Sequence, residues 1–196
     1  MAVFSFADGS GWREHFSETY ALVAGSARES FRQREDRIEN LPLGDGKHYA
    51  YVSAAYGKPL STGASVSLEC AFESYGAPLV TLANSIGRDK DGYPLYGDHY
   101  EIVVYSGGCN VWFVSAAPEG ASSPIVAQNV LRLYFPIPGG ERVTVKVQTG
   151  SRQGFLKVEL KGYCFEVPAP HLADSFYVGF TACEGINSLY SAQICE

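Results

Sequence analysis

The stretch "ERVTVKVQTGSRQGFLKVELKG", Glu141 to Gly162, contains two runs of alternating apolar and polar residues with a turn between them. The apolar members are Val143, Val145 and Val147 in the first run and Leu156, Val158 and Leu160 in the second. Side chains alternate between the two faces of a β-strand, so a period of two predicts strands with one buried face. The stretch therefore predicts an antiparallel β-hairpin with an apolar inner face and a polar outer face.

Similar patterns recur from Tyr49 onward. Residues 64–76, "ASVSLECAFESYG", alternate in the same way, and residues 78–86, "PLVTLANSI", are apolar on both faces, as in a central strand. Residues 96–112, "YGDHYEIVVYSGGCNVW", predict two strands joined at a Gly-Gly turn. Near the end of the chain, "FYVGFTACEG" and "NSLYSAQIC" predict two strands joined by a short loop. About a dozen short strands with closely spaced turns predict an all-β sandwich or jelly roll of two packed antiparallel sheets.

The first 40 residues give weaker signals. Residues 13–25, "REHFSETYALVAG", fit either a short helix or an edge strand, and residues 30–40, "SFRQREDRIEN", fit an exposed strand. No Pro/Gly/Ser-rich linker divides the chain, so we expect residues 1–196 to form a single domain.

Charge and composition restrict the partners. The net charge of −6 argues against nucleic acid, which needs clustered Lys and Arg, and against a polybasic membrane surface. The chain has no apolar run of membrane-spanning length and no basic-then-apolar export signal, so we expect a soluble cytoplasmic protein of bacterial type. Homo-oligomerisation stays open. The sequence predicts no cofactor, because it lacks a Gly-rich phosphate loop and metal-ligand spacing.

Five cysteines are present, an odd number without a C-x-x-C pair. They are Cys70, Cys109, Cys164, Cys183 and Cys195. Most lie within apolar strand runs, which favours reduced, buried thiols. A disulfide between Cys183 and Cys195 is the alternative.

Two segments carry a resemblance to a known group of proteins. Residues 145–167, "VKVQTGSRQGFLKVELKGYCFEV", and residues 176–194, "FYVGFTACEGINSLYSAQI", resemble the closing strands of the concanavalin A-like lectin/glucanase superfamily. There a V-x-V…G…L-x-V-x-L-x-G hairpin precedes an F-Y-V-G-F-x-A strand and a final back strand. The resemblance covers roughly residues 49–196. It implies a jelly roll whose concave sheet binds or cleaves glycans, as in legume lectins, laminin G modules and family 16 glucanases, and it leaves the activity open.

The resemblance implies that any catalytic carboxylates lie on one face of a strand. Family 16 glucanases place acids as E-x-D-x-x-E or E-x-D-x-E, and this chain lacks that motif. It offers Glu101, with His99 on the same strand face, a pair suited to general acid–base catalysis. Glu35, Arg37 and Glu39 also lie at alternate positions on one strand face, but their order is acid, base, acid and not three acids. For both groups the alternative is a solvated, salt-bridged sheet face. The Gln-x-His strand of alginate-lyase-like members is absent, which argues against lyase activity.

A sugar-binding surface needs aromatic faces flanked by polar side chains. Candidates for that surface are Tyr51, Tyr105, Asn110, Trp112, Arg132 and Tyr134, with His99 and Glu101 as further polar groups. Asn110 and Trp112 share one strand face, and so do Arg132 and Tyr134. The alternative is that these aromatic side chains lie in the core or cover a sheet edge.

A metal site is not predicted. Asp89, Asp91 and Asp98 cluster in one loop and could supply oxygen ligands, but their spacing does not match a calcium-binding loop. A Lys-Asp-Gly turn explains the same residues.

Three functions therefore remain open. The first is a carbohydrate-binding jelly roll without a glucanase carboxylate pair. The second is a glycoside hydrolase or polysaccharide lyase-like enzyme with Glu101 as its acid or base. The third is a structural or oligomerising module without a ligand.

Overall fold

A computed structural model of the chain describes residues 1–19, 30–43, 49–88, 92 and 94–196. Within these residues the regular structure is β-strand, apart from one turn of 3-10 helix at Trp12–Glu14. The strands are β1 (Ala2–Ser5), β2 (Phe16–Thr19), β3 (Arg32–Gln33), β4 (Ile38–Glu39), β5 (Val52–Tyr56), β6 (Leu60–Ser61), β7 (Ser65–Ala83), β8 (Ile86–Arg88), β9 (Pro94–Tyr96), β10 (His99–Tyr105), β11 (Gly108–Ala116), β12 (Ile125–Tyr134), β13 (Val143–Thr149), β14 (Phe155–Leu160), β15 (Tyr163–Pro168) and β16 (Ser175–Cys195).

The hairpin predicted over Glu141–Gly162 is present as β13 and β14. The two strands run antiparallel, with Val145 opposite Leu160 and Val147 opposite Val158, and these four side chains are buried. The hairpin predicted at residues 96–112 is present as β10 and β11. The predicted all-β sandwich of antiparallel strands is confirmed.

Strands β7 and β16 organise the molecule. They pair with each other along almost their whole length, from Tyr177 opposite Ala83 to Cys195 opposite Ser65. One half of this pair continues into β10, β11 and β12 on one side and β5 and β2 on the other. We call this the groove sheet. The other half continues into β13, β14 and β15 on one side and β1 and β4 on the other, and we call this the back sheet.

The predicted breaks within β7 and β16 are wrong. Residues 64–76 and 78–86 were predicted as separate strands, and so were the two C-terminal segments, but 65–83 and 175–195 are each one strand. Gly76 and Gly185 explain the difference. A Cβ at Gly76 would collide with the carbonyl oxygen of Ile186, and one at Gly185 would lie 2.6 Å from the Gly76 nitrogen. The glycines therefore allow two backbones to approach closely at a bend, and they do not end the strands.

The core lies between the two sheets. From the groove sheet, β10 contributes Tyr100, Ile102 and Val104, and these residues belong to one buried cluster with Leu68 and Val145 of the back sheet. All five side chains have an exposed fraction of 1% or less. Because alternate residues of β10 face the core, His99, Glu101, Val103 and Tyr105 must face the opposite way.

The N-terminal segments fold partly as predicted. Phe16–Thr19 form β2, which agrees with the strand alternative, and the rest of the 13–25 prediction lies outside the described residues from position 20. Residues 30–40 form two short strands, β3 and β4, and not one exposed strand. Ile38 and Glu39 are buried, because β4 pairs with β16 in the back sheet.

All five cysteines are free thiols, so the Cys183–Cys195 disulfide is not formed. Cys70 and Cys109 are buried, and burial raises the pKa of each to about 12. Cys164 is exposed, because it lies on the outer face of β15, and Cys183 and Cys195 are half-buried. The thiols are therefore free as expected, but most of them are not fully buried. The described residues contain no helix long and apolar enough to cross a membrane.

Candidate ligand-binding groove

The outer face of the groove sheet carries a depression of about 450 Å³. Strand register places its walls side by side: Glu101 is opposite Trp112, and Val103 is opposite Asn110 on one side and Leu79 on the other. Directly opposed residues in antiparallel strands point to the same face. The central part of this depression, which we call the groove, is therefore built from the residues of β7, β10 and β11 that turn away from the core.

The floor of the groove is apolar. Ala77, Leu79 and Val103 form a small buried cluster, and Tyr105 and Trp112 pack against it. Both aromatic side chains are only partly buried, so each presents a surface to the groove. The sequence alternative that places Trp112 in the core therefore does not apply.

One wall of the groove is polar and centred on Glu101. The Tyr51 hydroxyl donates a hydrogen bond of 2.8 Å to Glu101 Oε1, and His99 Nε2 lies 3.3 Å from the same oxygen. The second carboxylate oxygen, Oε2, has no hydrogen-bond partner among the described residues. Glu101 therefore has one oxygen bound to the protein and one available to a ligand.

A backbone contact orients the imidazole of His99. Nδ1 lies 2.7 Å from the Gly97 carbonyl oxygen, which can only accept, so Nδ1 carries a hydrogen. This leaves Nε2 facing Glu101 Oε1. The imidazole and the carboxylate therefore lie side by side at the edge of the groove.

Tyr51 and Cys183 remain neutral beside this carboxylate. Burial raises the pKa of Tyr51 well above its ordinary value, and the nearby charge of Glu101 raises it further. Burial also raises the pKa of the Cys183 thiol, and Glu101 and Glu184 add to that effect. Both groups are therefore hydrogen-bond donors at neutral pH, and Cys183 is not a thiolate nucleophile.

Beyond this wall, the groove sheet is covered by protein. Tyr96, on the β8–β9 hairpin, lies against Gly179 and hydrogen-bonds to Ser53 Oγ at 2.6 Å. A buried chain of hydroxyls continues from Ser53 to Thr181 at 2.7 Å and to Thr81 at 3.0 Å. The hairpin therefore covers part of this half of the sheet, and the groove lies on the other half.

Six of the eight predicted site residues line the groove. They are Tyr51, His99, Glu101, Tyr105, Asn110 and Trp112. The other two, Arg132 and Tyr134, lie outside the lining on the neighbouring strand β12, where both are exposed. Arg132 is opposite Asn110, and the Arg132 pKa is raised by Tyr134 first and then by Tyr105, so the two residues form an outer rim.

The remaining candidates lie elsewhere. Arg37 and Glu39 form an ion pair of 2.7 Å beside β16 of the back sheet, and Arg34 binds the same carboxylate, which agrees with the salt-bridged alternative. Asp89 and Asp91 lie outside the described residues. Asp98 accepts a hydrogen bond from the Ala116 backbone. In the described part of the chain, no group of three or more His, Cys, Asp or Glu side chains is placed to hold a metal ion.

Structural comparison identifies the architecture. β-Agarase A from Zobellia galactanivorans is similar to this chain with a TM-score of 0.62 and 9% sequence identity, over 98% of this chain and 87% of the agarase. A glycoside hydrolase family 16 endo-glucanase from Bacteroides ovatus is similar with a TM-score of 0.60 and 9% identity, over 99% of each chain. The carbohydrate-binding module CBM66 from Bacillus subtilis is similar with a TM-score of 0.50 and 12% identity, over 89% of this chain and 99% of the module.

The chain has the concanavalin A-like jelly-roll fold. This confirms the resemblance drawn from the closing strands. No protein-family model and no curated protein matches the chain by sequence. In this jelly roll the groove lies on the outer face of the sheet formed by β12, β11, β10, β7, β16, β5 and β2.

Several lining residues were not among the sequence candidates, and Tyr75, Cys183 and Glu184 are the most notable of them. Glu184 lies at the bend of β16, with a left-handed φ of 58° and a register shift before Ile186. In the sequence, the Glu-Gly pair at 184–185 resembles an ordinary loop, so nothing indicated a groove residue there. The left-handed conformation of Glu184 is a consequence of the bend in the paired strands β7 and β16, which the sequence does not show.

Proposed function

We propose that the protein binds a glycan in the groove through an apolar aromatic floor and a polar wall. The arrangement of the floor carries the proposal. Trp112 and Tyr105 stand beside Ala77, Leu79 and Val103, which suits the apolar face of a pyranose ring. Glu101, Asn110 and Tyr51 border this floor and can orient the hydroxyl groups of the sugar.

Two further features support binding. The groove of about 450 Å³ is within the range of ligand-binding cavities. The agarase, the endo-glucanase and the carbohydrate-binding module that share this fold all carry names that refer to carbohydrate. Because one fold hosts many functions, the groove and not the fold is the basis of the proposal.

The experiment that tests the proposal is a glycan array followed by calorimetry on each hit. For a bound glycan, Trp112→Ala should lose about 1–3 kcal/mol, roughly 5- to 150-fold in affinity, because a stacking surface is removed. Tyr163→Ala is the control, since Tyr163 is an exposed aromatic residue of the back sheet, at 55% exposure. An array without hits, or equal losses for the two variants, would contradict the proposal.

A second candidate is glycoside hydrolysis. It is favoured by two carboxylates, Glu101 and Glu184, in one groove and by the contact of 3.3 Å between Glu101 and His99, a pair suited to acid–base catalysis. Release of reducing ends from each bound glycan separates the two functions. Binding without release supports the binding module, whereas release that is lost in Glu101→Gln supports the enzyme.

A further inference from the structure

We infer, resting on the proposed function, that the groove selects uncharged glycans and excludes glycans that carry carboxylate or sulfate groups. The hydrogen-bonding groups and the charge of the described lining residues both favour such a ligand.

The first observation is that the polar wall of the groove offers an acceptor oxygen to a ligand. Glu101 Oε2 has no partner among the described residues, and covering it with a ligand that brings no donor would be unfavourable. A sugar hydroxyl group can donate to this oxygen, whereas a carboxylate or sulfate group has only acceptor oxygens.

The second observation is the charge of the lining. Glu101 and Glu184 both line the groove, and no Lys or Arg side chain does so among the residues that the structure describes. His99 lines the groove beside Glu101, but it is only 1% exposed, so protein covers most of the imidazole. The described lining therefore presents two carboxylates to a ligand.

The described cation nearest to this lining in the strand register is Arg132. It lies on the rim strand β12, is exposed, and is engaged with Tyr134 and Tyr105. At the surface its charge is screened by solvent and salt, so it offsets the two carboxylates only weakly. An anionic sugar on the apolar floor would therefore approach two carboxylates, with no Lys or Arg among the described lining residues to pair with it.

The test is a set of matched oligosaccharides that differ in charge but not in backbone. Three pairs serve as probes: cello-oligosaccharides and their C6-oxidised forms, mannan and mannuronan oligomers, and methyl-esterified and de-esterified polygalacturonan oligomers. Affinity for each is measured by calorimetry with the full chain. We expect the uncharged member of any bound pair to bind about tenfold or more tightly than its anionic counterpart. We also expect the difference to shrink in 1 M salt.

A charge-neutralising variant makes the test specific to the groove. Glu184→Gln keeps the shape of the side chain and should reduce the discrimination between the two members of a pair. Glu166→Gln removes the same charge from the back sheet, where Glu166 is exposed, and should leave the discrimination unchanged.

The outcomes separate this inference from the proposed function. Equal or tighter binding of the anionic members overturns the inference and leaves glycan binding intact. Unchanged discrimination in Glu184→Gln also overturns it. Failure of all six probes together with an array without hits overturns the proposed function, and the inference with it.

Discussion

Tyr51 connects two distant strands of the groove sheet through one hydroxyl group. It precedes β5, and the strand order β10–β7–β16–β5 places two strands between it and Glu101. The hydroxyl nevertheless donates to Glu101 Oε1 at 2.8 Å. The side chain thus extends over the sheet and holds the carboxylate in one orientation, with its other oxygen available to the groove.

Removing that hydroxyl should destabilise the protein. Tyr51→Phe leaves Glu101 with one hydrogen-bond partner in a largely buried position, so the free energy of unfolding should fall by about 1–2 kcal/mol. Urea denaturation followed by fluorescence measures the change. Tyr163→Phe, at an exposed hydroxyl in the back sheet, is the control. Equal stability of the two variants would show that the Tyr51–Glu101 bond contributes little.

At the scale of elements, the β8–β9 hairpin is held on the groove sheet by a close contact between Tyr96 and Gly179. The Tyr96 ring packs with Ala55 and Ala83. Its hydroxyl group hydrogen-bonds to Ser53, the first of the buried hydroxyl groups described above. Any side chain at position 179 would occupy the space of the Tyr96 hydroxyl. The hairpin can therefore pack at this position because Gly179 has no Cβ.

Substitution of this glycine should displace the hairpin. Gly179→Ala should lower the free energy of unfolding by about 1–3 kcal/mol, because the added methyl group overpacks a filled site. Gly87→Ala, on the same hairpin, is a matched control, since a Cβ there meets nothing within 4 Å. Thermal unfolding of both variants measures the difference. If Gly179→Ala proved as stable as Gly87→Ala, the packing of Tyr96 would not hold the hairpin.

The elements also show what the sequence could reveal. Alternation of apolar and polar residues predicted which faces of β10, β11, β13 and β14 are buried, because a strand with one buried face has apolar residues at every second position. It placed Glu101 and Trp112 on a common side for the same reason. It could not predict that Tyr51 meets Glu101, since that contact depends on the order of strands. It also ended strands at Gly76 and Gly185, because glycine permits close backbone approach as readily as a turn.

At the scale of the whole molecule, buried ionisable groups link stability to alkaline pH. Burial raises the pKa of Tyr96, Cys70 and Cys109 to about 12, from ordinary values of 10.0 for tyrosine and 9.0 for cysteine. As the pH rises above about 9, the unfolded chain therefore releases protons that the folded protein retains. The folded state then binds more protons than the unfolded state, so its stability decreases with rising pH.

Stability should thus be fully maintained below about pH 9 and fall progressively between about pH 9 and 12. Each buried group contributes a slope of about 1.4 kcal/mol per pH unit once it is ionised in the unfolded chain. Urea denaturation at a series of pH values measures the slope. Cys109→Ala should flatten it more than Cys164→Ala, which removes an exposed thiol. A slope that is the same in both variants would contradict a role for the buried thiol.

The sharing of β7 and β16 between both sheets has a mechanical consequence. Two independent sheets can slide over each other, but here the same two backbones run through both, so relative shear is blocked by covalent bonds. Flexing is left to the bend, where Gly76 and Gly185 lie backbone to backbone. Gly76 and Glu184 also line the groove. A change in the curvature of this bend would therefore change the shape of the groove.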